Sequence, residues 1–316
     1  MTGIRRFRRL APACAAAAAL LLAACSSKVS GSASPDFPAP SVGAASTTPS
    51  GSPSPSPTKK HKPDSTATST DDSDGKATYS KSAKGASAQL VAYFGSQFGT
   101  KSRLRFSKQM FTVESDPTVG NFLHVLYPAG STAPSSGKSG GAQIMVPFAN
   151  GPVDDATLTY QLRFPAGFTW VQGGKLPGLC GGTCNTGGKD PNGVNGWSAR
   201  FMWRTGGAGQ VYAYLATTRG YGTQLGTGNW HFAADGAWHS LSEHVHLNTP
   251  GVADGWIDVS LDGQLVSHQT GLLFRTASSL QIDGLLFSTF FGGHDPTWAP
   301  QTDQTADFAH FTVASG

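Results

Sequence analysis

The chain has 316 residues and a formal net charge of +4 at neutral pH, with histidine counted as neutral. Four of the positive charges are arginines within the first nine residues, so the rest of the chain is close to neutral. Nucleic-acid-binding domains usually carry a basic surface. The charge balance therefore argues against a nucleic-acid partner.

Residues 1–24 have the pattern of a secretory signal peptide, in which a basic start is followed by an apolar stretch from Ala11 to Leu22 and then by small residues. That stretch is too short and too alanine-rich to predict a membrane span, which needs about 20 strongly apolar residues. The following Leu22-Ala23-Ala24-Cys25 resembles the lipobox of bacterial lipoproteins. The resemblance implies cleavage before Cys25 and lipidation of its thiol, and two acyl chains suffice for stable anchoring. The alternative is ordinary cleavage that leaves Cys25 free.

Residues 25–86 are rich in Ser, Thr and Pro and poor in aromatic and branched apolar residues. Such a segment cannot bury enough apolar surface to offset its chain entropy, so it predicts a disordered, semi-extended tether. We therefore expect the protein at the extracellular face of a bacterial membrane, or secreted. Cysteines in an oxidising compartment form disulfides, and this predicts a Cys180–Cys184 bridge.

Residues 87–316 show no long amphipathic helical pattern. Short runs of period-two alternation are broken by Gly, Asn and Pro, which is typical of an all-β, antiparallel β-sandwich or jelly roll of the lectin-like, concanavalin A-like kind. Asp262-Gly263 predicts a hairpin turn. The predicted strands lie at 158–164, 241–247, 257–261, 280–291 and 308–313.

The run from Trp197 to Leu215 carries the most specific pattern. Successive side chains of a strand face opposite sides, so one face of 197–204 is apolar and the other is polar. If 197–204 and 210–215 pair as a hairpin, one sheet face presents Ser198, Arg200, Arg204, Tyr212 and Tyr214. Two guanidiniums beside two phenols favour binding of an anion, although a merely solvated sheet face would show the same alternation. Upstream, Lys175 lies in a glycine-rich stretch that predicts a loop, from which it can turn onto this face.

Several separate stretches, in order, resemble family 14 polysaccharide lyases, the alginate and glucuronan lyases with a β-jelly-roll fold. The resemblance covers roughly Phe122 to Val313, and the stretches are Gly173 to Gly182, Ser198 to Arg204, Tyr212 to Tyr214, Leu247 to Gly251, Asp254-Gly255 and Phe287 to Gly293. It implies catalytic roles for Lys175, Ser198, Arg200, Tyr212 and Tyr214, and an anionic polysaccharide as the partner. The Cys180/Cys184 pair is not part of the resemblance.

The implied reaction is β-elimination in a 4-linked uronan, which removes the proton on C5 and expels the oxygen on C4. Donors must neutralise the carboxylate as charge develops beside it. Arg200 can do this by two-point hydrogen bonding, assisted by the substrate-binding Arg204 or by Lys175. A tyrosine suits the roles of base and acid if nearby cations lower its pKa from about 10, and the sequence leaves open which tyrosine acts.

Other functions are less consistent with the residues. A glycoside hydrolase needs two carboxylates that flank the bond, and the only glutamates, Glu114 and Glu243, are far apart in sequence. A non-catalytic carbohydrate-binding lipoprotein is the stronger rival, because fold does not fix function. The histidines show no ligand spacing, even for His244 and His246 on one strand face. We therefore expect no metal or cofactor, and a monomer.

Overall fold

The computed structural model describes five stretches of the chain. They are residues 93–99, 101, 103–104, 109–138 and 140–316. The predicted signal peptide, the predicted tether and Cys25 lie outside them. Within these stretches, no helix has both the length and the apolar character needed to cross a membrane.

The described residues form strands joined by turns and four short 3-10 helices. The strands are β1 (Arg103–Leu104), β2 (Phe111–Asp116), β3 (Gly120–Tyr127), β4 (Ala142–Pro147), β5 (Asp155–Arg163), β6 (Gly173–Lys175), β7 (Gly178–Gly182), β8 (Gly196–Arg204), β9 (Gly209–Tyr214), β10 (Thr223–Leu225), β11 (His239–His246), β12 (Gly255–Leu261), β13 (Gln264–Leu272), β14 (Gly284–Phe291) and β15 (Gln304–Ser315). The 3-10 helices are Gly95–Gln97, Pro134–Ser136, Thr205–Gly207 and Pro296–Trp298.

The strands build two antiparallel sheets, which confirms the predicted β-sandwich. The first sheet has the order β1-β4-β14-β6-β8-β9-β10, and β7 also pairs with β14 and β8. The second has the order β13-β12-β11-β5-β15-β3-β2. Apolar side chains from the facing sides of both sheets form one core, in which Trp197, Phe201 and Trp203 of β8 have no exposed surface.

Most predicted strands are present at the predicted positions, and the differences have local causes. The Asp262-Gly263 turn joins β12 to β13, and both residues have positive φ (50° and 78°), as a type I′ hairpin turn requires. The strand predicted from Leu280 begins only at Gly284. In β15 the register shifts between Ala309 and Thr312, so strict alternation fails there.

The glycine-rich stretch around Lys175 is not a loop, as the sequence predicted, but two short strands inside the first sheet. β6 and β7 lie between β14 and β8. Glycine is required there for close approach, because a Cβ on Gly174 would lie 2.0 Å from the Trp203 ring and one on Gly178 would lie 2.1 Å from the Ala199 carbonyl oxygen. Because these glycines have no side chain, β6 fits between β14 and β8, and Lys175 lies on a central strand of the sheet.

The predicted disulfide is present between Cys180 at the middle of β7 and Cys184 just beyond its end. Cys180 pairs with Ser198 of β8 and with Gly284 of β14. Both cysteines are fully buried, in a small apolar cluster with Met145 and Leu286. The bridge fixes the start of the segment 184–190 to the outer side of the first sheet.

Candidate active site

A cleft of about 530 Å³ opens on the outer face of the first sheet. Five of the residues predicted from the sequence line it together: Lys175, Arg200, Arg204, Tyr212 and Tyr214. Their neighbours on the core side of the same strands, such as Phe201 and Val211, are completely buried. The alternation along β8 and β9 therefore separates a core face from a cleft face, as predicted.

Strand register sets the spacing of the cleft residues. Arg200 of β8 lies directly opposite Tyr212 of β9, and Lys175 of β6 lies opposite Met202 of β8. Directly opposite residues of antiparallel strands have Cβ atoms roughly 5 Å apart. One guanidinium, one amine and one phenol are thereby brought together from three neighbouring strands.

Arg200 is the innermost cation of the cleft, with 2% of its surface exposed. Its Nη1 donates a hydrogen bond of 3.0 Å to the Ser288 hydroxyl on β14. The Gln143 side-chain amide on β4 donates to the same hydroxyl, also at 3.0 Å. This row of buried polar groups orients the guanidinium toward the cleft.

Lys175 is 7% exposed and lies against apolar or neutral groups. Its Nζ is 2.8 Å from the Met202 sulfur and 3.6 Å from the centre of the Tyr212 ring. Burial, and then the positive charges of Arg200 and Arg204, hold the pKa of Lys175 well below its usual value. A neutral amine is thereby favoured, and a neutral amine can accept a proton.

Tyr212 differs from the sequence expectation, because its pKa is not lowered by the nearby cations. Burial and the neighbouring Tyr214 raise the pKa of Tyr212 to about 12, and the opposing effect of Arg200 is smaller. The sequence could not show how far the phenol is withdrawn from water, and desolvation disfavours the phenolate. At neutral pH Tyr212 is therefore protonated and able to donate.

Both phenols are held by backbone amides from loops at one end of the cleft. The Tyr212 hydroxyl accepts a hydrogen bond from Gly222 N–H, and the Tyr214 hydroxyl accepts one from Gly188 N–H, each at 3.0 Å. The two rings meet edge to face at 5.9 Å. Tyr214 is the deeper of the two, with 1% exposure.

Ser198 shares the strand face predicted for it but does not line the cleft. It is completely buried, and its hydroxyl donates a 2.6 Å hydrogen bond to the backbone carbonyl of Asn185. The segment that follows Cys184 covers the serine, and alternation along β8 cannot reveal such a cover. In this structure Ser198 supports the segment that supplies Gly188 N–H to Tyr214.

Several cleft residues were not identified from the sequence. Gln143 is buried within the otherwise apolar strand β4, and that lone amide was an available signal. The rim residues Tyr221 and His294 come from loops and Trp298 ends a short 3-10 helix, so no periodicity indicates their direction. Arg204 lies over the Trp298 ring, with its guanidinium carbon 5.3 Å from the ring centre.

The glutamates do not form a pair that flanks the cleft. Glu243 is completely buried between the sheets, where it accepts a 2.8 Å hydrogen bond from Leu179 N–H and where burial raises its pKa well above the usual value. Glu114 lies on β2, at the far edge of the second sheet. In the part of the chain that the structure describes, no group of three or more His, Cys, Asp or Glu side chains is placed to hold a metal ion.

A β-sandwich whose outer sheet face joins buried cations to phenols is the arrangement expected of a polysaccharide lyase, and the comparison with known families supports that class. The model of the family Polysaccharide lyase 14 matches residues 115–311, and the chain belongs to that family. A search of curated proteins finds no match.

Solved structures share the fold. A marine PL-14 alginate lyase from Aplysia kurodai is 31% identical, with a TM-score of 0.58 over 65% of this chain and 87% of that one. Alginate lyase vAL-1 from Chlorella virus is 20% identical, with a TM-score of 0.58 over 66% and 90%. A mutant of alginate lyase Aly36B in complex with alginate tetrasaccharide is 21% identical, with a TM-score of 0.57 over 77% and 94%.

Proposed function

We propose that this polysaccharide lyase cleaves 4-linked uronate polysaccharide, mannuronate-rich alginate or glucuronan, by β-elimination. One observation carries the assignment: the cleft joins Lys175 and Tyr212, whose pKa values are shifted in opposite directions, to the buried guanidinium of Arg200. Environments that move two pKa values apart identify a base and an acid. The 31% identity to an alginate lyase supports a uronate substrate.

Arg200 neutralises the uronate carboxylate. Removal of the C5 proton places negative charge next to that carboxylate, so donors fixed before the reaction stabilise the transition state most. The Ser288 hydroxyl holds the guanidinium at 3.0 Å, which limits the reorganisation needed when substrate binds. Arg204 lies further along β8 and adds a second positive charge at the same face.

Lys175 serves as the base and Tyr212 as the acid. The neutral Lys175 amine takes the proton from C5, and the electron pair forms the C4=C5 double bond. The C4–O4 bond breaks, and Tyr212 gives its proton to O4. Transfer of the proton from the Lys175 ammonium to the Tyr212 phenolate restores both groups without consuming water. Nζ lies 3.6 Å from the centre of the Tyr212 ring, so the two groups are neighbours in the cleft.

The position of both groups on one sheet face favours substrates whose C5 proton and O4 lie on the same side of the sugar ring. Mannuronate and glucuronate have this arrangement, and guluronate does not. We therefore propose that polymannuronate and glucuronan are cleaved faster than polyguluronate.

The test is a product assay on polymannuronate, polyguluronate, alginate and glucuronan, which follows the ultraviolet absorbance of the new double bond conjugated to the carboxylate. We expect cleavage of at least one mannuronate or glucuronate polymer, and a loss of about 10² to 10⁴ in turnover for Lys175→Met, the range of a general base. Lys101→Met, a change at an exposed lysine, is the matched control. Binding without product from any polymer would instead indicate a carbohydrate-binding protein.

We further propose that the mature protein is anchored by lipid at Cys25 and acts at the extracellular face of a bacterial membrane. The lipobox-like sequence supports the anchor, and the Cys180–Cys184 disulfide is consistent with an oxidising compartment. We also propose that it acts as a monomer, since one chain supplies a complete cleft.

A further inference from the structure

An exposed aromatic ring stands at the mouth of the cleft. Tyr221 is 65% exposed, although it belongs to the cleft lining. Across the mouth, His294 lines the opposite wall, and the centres of the two rings are 6.2 Å apart. The two side chains come from the β9–β10 connection and from the loop after β14, so they join the two walls of the cleft.

The backbone on both sides of Tyr221 is held in place. Gly220 N–H donates a 2.6 Å hydrogen bond to the Asp190 carboxylate, and Gly222 N–H donates to the Tyr212 hydroxyl. Ordering a loop upon binding costs conformational entropy, and a loop fixed beforehand avoids that cost. A large exposed ring on such a fixed backbone is a preformed contact surface.

The opposite wall carries a polar partner that is also positioned. The Nδ1 atom of His294 is 3.1 Å from the Ser135 hydroxyl, which comes from a separate 3-10 helix. An imidazole nitrogen can donate to a sugar hydroxyl or carboxylate. The mouth of the cleft therefore offers an aromatic ring and a hydrogen-bonding ring side by side, 6.2 Å apart between their centres.

We propose that Tyr221 and His294 form a sugar-binding subsite that holds a uronate residue adjacent to the one being cleaved. The proposal rests on the lyase function proposed above. Tyrosine provides a large apolar face with a polar end, which suits the C–H face of a pyranose bordered by hydroxyls. The Gly222–Tyr212 hydrogen bond connects this subsite directly to the proposed acid.

A subsite outside the cleavage point adds binding only for chains long enough to reach it. Longer oligouronates should therefore be cleaved with a higher kcat/KM than the shortest substrate. Tyr221→Ala should lower the long-to-short ratio of kcat/KM by about three- to tenfold, the size of one aromatic contact. Most of the loss should appear in KM, and His294→Ala should change the ratio in the same direction.

The experiment measures kcat and KM on purified oligomannuronates of increasing length for the wild-type protein and both variants. Leu265→Ala is the matched control, because Leu265 is 61% exposed but lies on β13 of the other sheet. An unchanged length profile in Tyr221→Ala would overturn the subsite. An equal loss at every length would also overturn it, since Tyr221 would then act only by supporting Tyr212.

A wild-type protein that releases no unsaturated product would count against the proposed function and not against the subsite. Calorimetric binding of the same oligomannuronates to the wild-type protein and to Tyr221→Ala separates the two ideas. The subsite requires weaker binding of long oligomers by Tyr221→Ala, with a smaller effect on the shortest one. Equal affinities at all lengths would refute it.

Discussion

Replacing Tyr212 with phenylalanine removes the proposed proton donor and little else. The ring, and with it the packing against Lys175 and Tyr214, is retained. The hydroxyl accepts a hydrogen bond from Gly222 N–H at 3.0 Å, and the loss of that bond should cost about 0.5–1.5 kcal/mol of stability. A general acid contributes about 10² to 10⁴ to turnover, which corresponds to about 2.7–5.5 kcal/mol of activation free energy. The kinetic effect should therefore clearly exceed the effect on folding.

The assay pairs initial rates of double-bond formation with chemical denaturation of the same preparations. Phe201→Ala is the contrasting variant, because Phe201 points from β8 into the core and has no exposed surface. Its truncation should destabilise the fold by about 3–5 kcal/mol while the folded fraction keeps its turnover. If Tyr212→Phe keeps near-wild-type turnover on every uronan, Tyr212 is not the acid.

The pH dependence of the same variant has a definite sign. The pKa of Tyr212 is raised to about 12 from the ordinary value of 10.0. The folded state therefore binds the phenolic proton more tightly than the unfolded state does, and stability is lost as pH rises from about 10 to about 12. Tyr212→Phe should remove that part of the alkaline destabilisation, and the proton donor of the wild-type protein should stay available until pH nears 12.

Three further predictions concern the anchor, the bridge and the buried lysine. Cys25→Ser should move a membrane-associated protein into the soluble fraction, and unchanged fractionation would refute the lipidation. Reduction of the Cys180–Cys184 disulfide should lower turnover strongly and melting temperature only a little. So short a disulfide-closed ring contributes only roughly 2 kcal/mol to stability, whereas the segment after it supplies the Gly188 N–H that binds the Tyr214 hydroxyl. Two free thiols in natively exported protein would contradict the bridge. Lys175→Met should raise the free energy of unfolding, increasingly as pH falls below 10.5, since the unfolded chain holds that proton more tightly. Denaturation of this variant at several pH values checks the sign.

The sequence predicted the β8–β9 hairpin well because one face of the hairpin is apolar and the other carries polar and charged side chains. Trp197, Phe201 and Trp203 must all enter the core, and a register shift of one residue would expose them. The same constraint fixes Arg200 and Tyr212 on the opposite face, where they are directly paired. Two of the central cleft residues could thus be placed from alternation alone.

Other parts of the site depend on tertiary contacts that no local pattern encodes. By alternation along β8, Ser198 should face the cleft, yet the segment 184–190 covers it. The path of that segment is set by the disulfide and by side-chain hydrogen bonds, such as the one that the Asn185 amide donates to the Lys189 carbonyl. Lys175 reaches the cleft from a central strand because Gly174 and Gly178 allow close backbone packing. The glycines in the sequence predicted a loop, whereas in the fold they permit close packing of neighbouring strands.

The electrostatics of the cleft connect substrate binding to the chemistry. Lys175, Arg200 and Arg204 are gathered on one sheet face, and among the described residues no carboxylate forms a salt bridge with Lys175 or Arg204. Burial, and then repulsion by Arg200 and Arg204, lowers the pKa of Lys175 and favours an amine that can act as a base. Arginine does not give up its proton, so the lysine is the member of the group that does. In the proposed mechanism, the arginines that attract a uronate carboxylate therefore also prepare the base that removes its neighbouring proton.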